Sequence, residues 1–346
     1  MIRRRFAVVA FTAVLALAQP VAAAEPETPA TPPAAVPEQC GGKDMLAEMQ
    51  AKEPDTYRRI MTEAEQLENT QSILWKVEKP GVEPSYLFGT IHMADKRVAT
   101  LTDKAQAAFG HAKTVALEVA NTSDAALIEA MTKVPELLAY ADGSTLQAQL
   151  AADEYKKVEE VVVKTGMPKE AAVVLKPWLV SMLLSITDCQ RLQMTAGIDA
   201  LDKRLEKEAK QHGATVVGLE TAESQLGATA SVPNDQQILM LKSGLAYVDR
   251  TDDMIETLVQ LYLKRQLGAT MPFQKVLGEK TGVPAAAFEG FNKILLVDRN
   301  AKMRDAAKPL FDKGQAFVAV GALHLSGKTG LVALLREAGY TVTGVE

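Results

Sequence analysis

The sequence predicts an α/β fold: a central mixed β-sheet flanked by helices, with large helical insertions. Three observations predict it. Short apolar runs such as 114–119, 214–219 and 316–321 alternate along the chain with segments of helical periodicity. Those runs are apolar almost throughout rather than at every second residue, which marks strands covered on both faces. Finally, the 346 residues are 47% hydrophobic and 23% charged, an ordinary globular composition with enough apolar mass for one large domain.

The elements follow in order. Leu46, Met49, Tyr57, Ile60, Met61, Ala64 and Leu67 recur at helical spacing and predict one or two amphipathic helices lying on the sheet that follows. Segments 72–77 and 86–91 read as strands paired in a hairpin about Lys79-Pro80-Gly81. Thr102 is placed to cap a short helix ending at Gly110, and a buried strand follows at 114–119. The middle is mostly helical, over 123–134, 152–164 (stopped by Gly166), 177–192 and 199–212 (stopped by Gly213). A strand returns at 214–219, and a second helical block fills 221–312, with Asp298 expected to cap its last member. The chain closes with a strand at 316–321, a helix at 328–338 and a strand at 340–345.

Before this domain, Arg3, Arg4 and Arg5 precede an apolar run from 6 to 18 and then Ala22-Ala23-Ala24, the pattern of a signal peptide cleaved near Ala24. The Arg-Arg-x-Phe string touches the twin-arginine pattern but stops at Phe6, so the general secretory route is expected. Residues 25–39 are rich in proline and read as a stiff, unpacked linker, the domain beginning near Cys40. Loss of the three arginines takes the formal net charge from −5 to −8. An acidic chain without clustered Lys and Arg excludes a general nucleic-acid binder. No stable membrane anchor is expected, and the location predicted is the periplasm or outside the cell. In an oxidising compartment the two cysteines, Cys40 and Cys189, are expected to form one disulfide, and two cysteines cannot build a thiolate zinc cage.

One internal echo carries the chemistry. Tyr86-Leu-Phe-Gly-Thr-Ile-His92 and Phe317-Val-Ala-Val-Gly-Ala-Leu-His324 both run apolar strand, Gly, two residues, His, and use two of only four histidines. Such a glycine permits a tight turn or close backbone approach, and the imidazole falls at a sheet edge where α/β sites gather. Glu118 lies inside an apolar strand and Glu220 ends another. A buried carboxylate costs several kcal/mol, on the order of a lost charge pair, unless paired, hydrogen-bonded or bound to a cation. Two imidazoles and two carboxylates match a divalent ion, with Zn, Mn, Fe or Co suiting mixed N/O donors. His92, Glu118, Glu220 and His324 are therefore expected to converge as one metal and catalytic site, whereas His111 and His212 read as solvated helix ends. Arg299 and Asn300 follow Asp298, so the bland role of this trio is helix capping; the alternative is that Arg299 and Asn300 bind substrate, Arg299 presenting its fork to a substrate carboxylate or a developing oxyanion.

These motifs resemble the TraB/GumN family, which includes the Tiki metalloproteases and lies near the ChaN-like and erythromycin-esterase-like folds. The resemblance covers about residues 40–346 and rests on Leu-Phe-Gly-Thr-Ile-His-Met at 87–93, Leu-Glu at 117–118, Lys-Pro-Trp at 176–178, Gly-Leu-Glu-Thr at 218–221, Arg-Asn at 299–300 and Gly-Ala-Leu-His at 321–324. Asp298 stands where the family would have glutamate. The resemblance implies a metal-dependent hydrolase acting on a peptide or protein, with His92 and His324 as metal or catalytic residues and Glu118 and Glu220 on the acidic positions. Because the family also holds regulators of peptide signalling, the competing expectation is a non-catalytic periplasmic protein that binds a peptide, a metal or haem. Metal identity, substrate and oligomeric state are left open at this point.

Overall fold

The computed structural model describes residues 40–346. The predicted signal peptide and linker lie outside the described residues. Six strands form one mixed sheet: β1 (Leu74–Glu78), β2 (Ser85–Thr90), β3 (Thr114–Val119), β4 (Thr215–Glu220), β5 (Ala316–Gly321) and β6 (Thr341–Gly344). Their order is β4-β3-β5-β2-β1-β6. The four strands β4, β3, β5 and β2 run parallel, while β1 is antiparallel to both β2 and β6. The β1–β2 hairpin turns where predicted, with Gly81 in the left-handed region at φ 76°.

Alternation along the strands splits the core into two layers. Val115, Leu117, Phe317 and Ala319 face helices Asp103–Gly110, Leu201–Gln211 and Thr251–Leu263. Ala116, Val318 and Val320 face Asp298–Lys313 and Leu331–Glu337 on the other side. The even-numbered positions of β3 thus look toward helix Asp298–Lys313, and Glu118 is one of them. Most of the remaining helices form two cores of their own, one around Trp178, Leu179 and Leu241, the other around Ile60, Phe273 and Leu277.

Three expectations need correction. The N-terminal helices Met45–Lys52 and Pro54–Glu65 do not lie on the sheet; their apolar stripe of Met45, Leu46, Met49 and Ile60 packs on Leu261, Phe273 and Val276 of the helical block. Periodicity shows that a stripe is buried, not what buries it. The helix expected over 177–192 is two, Pro177–Leu184 and Asp188–Thr195, because the Thr187 hydroxyl accepts from the Gln190 N–H and starts a new helix. Asp298 caps nothing: the chain arrives already helical through a π turn at Lys293–Val297, so no free N–H groups await it, and its carboxyl pairs instead with Lys293. The disulfide between Cys40 and Cys189 is present, with Cα atoms 5.7 Å apart. It ties the start of the domain to helix Asp188–Thr195.

Candidate functional site

The register of the parallel strands assembles the site. Thr90 stands opposite Gly321, Leu117 opposite Ala319 and Val119 opposite Glu220, so the carboxyl ends of β2, β5, β3 and β4 lie side by side. His92 follows β2 by two residues, and His324 closes a single short turn, Ala322–His324, after β5. Both glycines of the repeated motif serve close approach rather than a left-handed turn, since neither has positive φ. A Cβ on Gly89 would stand 2.6 Å from Leu325 Cδ1. One on Gly321 would stand 3.2 Å from both Glu118 Oε1 and His92 Nε2, in the middle of the cluster.

The two imidazoles meet at Glu118. Its Oε1 is 3.6 Å from His92 Nε2 and 3.7 Å from His324 Nε2. Each ring is held from behind through Nδ1, His92 by Asp202 Oδ2 at 2.7 Å and His324 by Asn300 Oδ1 at 2.6 Å. Asn300 donates its own Nδ2–H to the Thr329 carbonyl at 2.8 Å, which leaves Oδ1 to accept from His324 Nδ1–H and frees the Nε2 lone pair. Burial pushes the His324 pKa down to about 4, so this ring is neutral at pH 7. His92 goes the other way: the charge of Asp202, against the cost of desolvation and with hydrogen bonds to Asp202 and Glu118, lifts its pKa well above the ordinary 6.5. The His92 ring is ringed by protein yet lines the cleft, with 55% of its side-chain surface open.

Glu118 is 6% exposed. Burial alone would raise its pKa, but the hydrogen bond to His92 and the charges of His324, His92 and Arg299 together hold it well below 4.5. Because His324 is neutral at pH 7, the effect then rests on His92 and Arg299. Oε1 accepts from the Gly321 N–H at 2.6 Å, and Oε2 accepts from Arg299 Nη2 at 2.7 Å and Gln225 Nε2 at 2.9 Å. Glu220 does not join the histidines. Its side chain, 4% exposed, lies on the far side of Arg299, whose Nε donates to its two oxygens at 3.0 and 3.2 Å. Arg299 therefore spends its fork on two protein carboxyl groups, and Asn300 holds His324 rather than a ligand. His111 and His212 end helices on the exposed surface, away from the cluster.

The donor set suits a divalent ion. Ligands about 2.0–2.2 Å from a tetrahedral ion stand roughly 3.4 Å from one another, close to the spacing of Glu118 Oε1 from the two Nε2 atoms. Backing of each ring through Nδ1 is the usual outer support of metal-ligating histidines. As the side chains stand, no three His, Cys, Asp or Glu groups among the described residues enclose a common point at ligand distance. An ion held by Glu118 and both rings would require small side-chain movements.

The cluster forms part of the wall of a cleft of about 580 Å³. Trp178, Met182, Leu226, Met271, Phe291 and Leu296 make most of the remaining wall apolar. Leu296 comes from the π turn, which also sets the Leu295 carbonyl to accept from Arg299 Nη1 at 3.2 Å.

A family model for TraB/PrgY/gumN proteins matches residues 73–344, from the first strand of the sheet to the last. The chain belongs to the TraB/PrgY/gumN family. Among curated proteins it is 25% identical over 258 residues to YbaP of Shigella flexneri, and 24% identical over 258 residues to YbaP of Escherichia coli K12, both uncharacterised. Each alignment covers 74% of this chain and 89% of the relative. No solved structure matches it significantly.

Within this TraB/PrgY/gumN domain, two site residues escaped the sequence. Asp202 also accepts from the Thr90 hydroxyl at 2.9 Å, and it sits with Leu201, Leu205, Glu206 and Ala209 on the buried face of its helix. A carboxyl group on an apolar helical face was the signal that could have found it. Gln225, which braces Glu118, carried no such mark.

Proposed function

We propose that this family member is an exported metal-dependent hydrolase of peptides. The observation that carries the reading is the convergence of His92 Nε2 and His324 Nε2 on one Glu118 oxygen, with both rings braced through Nδ1. His92, His324 and Glu118 would hold the ion. A divalent ion (Mn, Co, Zn or Fe) at such a site supplies an acidified water and polarises a carbonyl. Asp202 and Asn300 fix the ring orientations. Arg299 neutralises Glu118 and Glu220, and Gln225 and the Gly321 N–H keep the Glu118 carboxylate in one rotamer. Glu118, held well below the ordinary carboxylate range, is a holding group rather than a proton acceptor, and Glu220 is too enclosed to reach a substrate. His92, whose pKa Asp202 raises, would give up its Nε2 proton when that nitrogen takes the ion. The apolar cleft walls exclude water and take large apolar side chains of a peptide. The disulfide supports export to an oxidising compartment, the periplasm or the outside.

One observation favours the competing role of a peptide-holding regulator without turnover: both Glu118 oxygens already have donors, and no three candidate ligands among the described residues enclose one point. Elemental analysis of the mature protein, coupled to digestion of a peptide library with and without chelator, decides between them. About one ion per chain and cleavage that chelator stops is the expected result. Peptide binding without metal or cleavage would establish the regulator instead.

A further inference from the structure

We infer that Arg97 is a positioning residue for His92: its guanidinium ties the chain just beyond that histidine to helix Thr251–Leu263 and so holds the imidazole over Glu118. The inference deepens the metal-hydrolase reading and rests on it for the effect on metal. His92 belongs to no helix or strand, since β2 ends at Thr90 and the next helix begins at Asp103. With 55% of its side-chain surface open, packing alone does not fix the ring. Its place depends on Asp202 behind it and on the backbone to either side.

Both sides are tied to the same helix. Three residues before His92, the Gly89 carbonyl accepts from the Tyr262 hydroxyl at 2.7 Å. Three residues after it stands Asp95, 1% exposed, whose carbonyl closes the turn by accepting from the Val98 and Ala99 N–H groups at 3.1 and 2.8 Å. The Asp95 carboxylate accepts from Arg97 Nε at 3.0 Å and Nη2 at 2.6 Å. The other edge of that guanidinium donates through Nη1 and Nη2 to the two oxygens of Glu256, at 3.0 and 2.7 Å. Gln260, one turn further along the helix, donates to Glu256 Oε1 at 2.8 Å and keeps that carboxylate in place. Only a planar fork meets two carboxylates edge-on in this way, and without it Asp95 and Glu256 would repel. A shift of about 1 Å in the freed turn would open the 2.7 Å contact of His92 Nδ1 with Asp202 beyond hydrogen-bond range and carry Nε2 away from Glu118. Because Leu258 and Tyr262 of the same helix line the cleft, the clamp also sets the histidine in register with the wall that a substrate touches.

The test reads the full mature chain in two ways. Proton NMR of the metal-free protein follows the His92 Nδ1–H, identified by its loss in His92→Ala; a short bond to a carboxylate moves this proton downfield and shields it from exchange. Titration with cobalt(II) gives the metal affinity. Arg97→Met should erase the resonance and weaken cobalt binding about 10- to 100-fold, as for other outer-shell partners. Arg97→Lys keeps a cation for Asp95 but has no fork to span both carboxylates, so it should recover melting temperature without recovering the resonance. Glu256→Leu leaves the Asp95–Arg97 pair intact and cuts only the tie to the helix, and it too should lose the resonance. A resonance that persists in Glu256→Leu overturns the inference even if Arg97→Met does not fold, and one restored by Arg97→Lys shows that charge alone suffices and overturns the clamp. Loss of the resonance in the variants, with no cobalt bound by the unaltered chain, would overturn the metal reading and support the positioning of His92.

Discussion

Replacing Arg299 by Met tests whether this residue belongs to the architecture or to the substrate. Its side chain is 10% exposed and lies against Glu118 at 8% and Glu220 at 4%. Methionine fills much of the same space, so the change removes the charge and the donors with little loss of volume. Two buried carboxyl groups are then left sharing a site without a counter-charge. Breaking a buried pair costs about 3–5 kcal/mol, and protonation of one carboxyl caps the loss near the middle of that range. At about 2.1 cal/mol/K of unfolding entropy per residue, some 300 ordered residues give about 0.6 kcal/mol/K, so a loss of about 4 kcal/mol lowers the melting temperature by about 6 °C. Adding Glu220→Gln should recover part of this, because one of the two stranded charges is gone. The pH dependence has a definite sign. Glu118, its pKa depressed by folding, contributes stability above its ordinary value of 4.5 that is lost as pH falls through its lower folded value. Without Arg299 that depression weakens, so the gap between the two proteins is widest at neutral pH and narrows below about pH 4.5. Scanning fluorimetry from pH 4 to 8 reads all of this. A shift under about 2 °C at pH 7, or no recovery from Glu220→Gln, would refute the ion-pair reasoning.

Three further outcomes are expected. Gly321→Ala places a methyl group 3.2 Å from Glu118 Oε1 and His92 Nε2 at a backbone φ of −54° that alanine accepts, so elemental analysis should show loss of bound metal with the melting temperature nearly unchanged. Asp202→Asn removes the charge that chiefly raises His92; NMR titration of the imidazole should show its pKa falling back toward 6.5, and activity should drop about 10- to 100-fold as for other outer-shell partners. Reduction of the Cys40–Cys189 bridge, which closes a separation of 149 residues, should cost about 5 kcal/mol on the chain-entropy account, read as a lower urea midpoint; an unchanged midpoint would mean that the unfolded chain is already compact there.

What the sequence disclosed of the site was what local pattern can carry. The repeated Gly-x-x-His announced itself because histidine is scarce, and Glu118 because a carboxyl group interrupts an apolar strand. Arg299 and Asn300 were noticed, but their partners come from β3, β4 and the turn after β5, and pairing across the fold has no local signature. Asp202 and Gln225 were hidden for the same reason: each matters through a side chain brought to it by another element. The N-terminal stripe was correctly seen as buried and wrongly given the sheet as its cover. Helix 298–313 looked freshly capped because Asp298 is a good cap residue, although a π turn had already supplied the helical partners.

The position of β5 orders the making of the molecule. It lies between β2 and β3 although it follows them by about two hundred residues, and β6 arrives later still to cover the outer edge of β1. A growing chain therefore holds two unfinished half-sheets, each with an open edge, until β5 emerges. Neither the complete sheet nor the cluster of His92, Glu118 and His324 can exist before then. A stop codon before residue 316 would leave both half-sheets exposed, and the product would aggregate rather than merely lack one histidine.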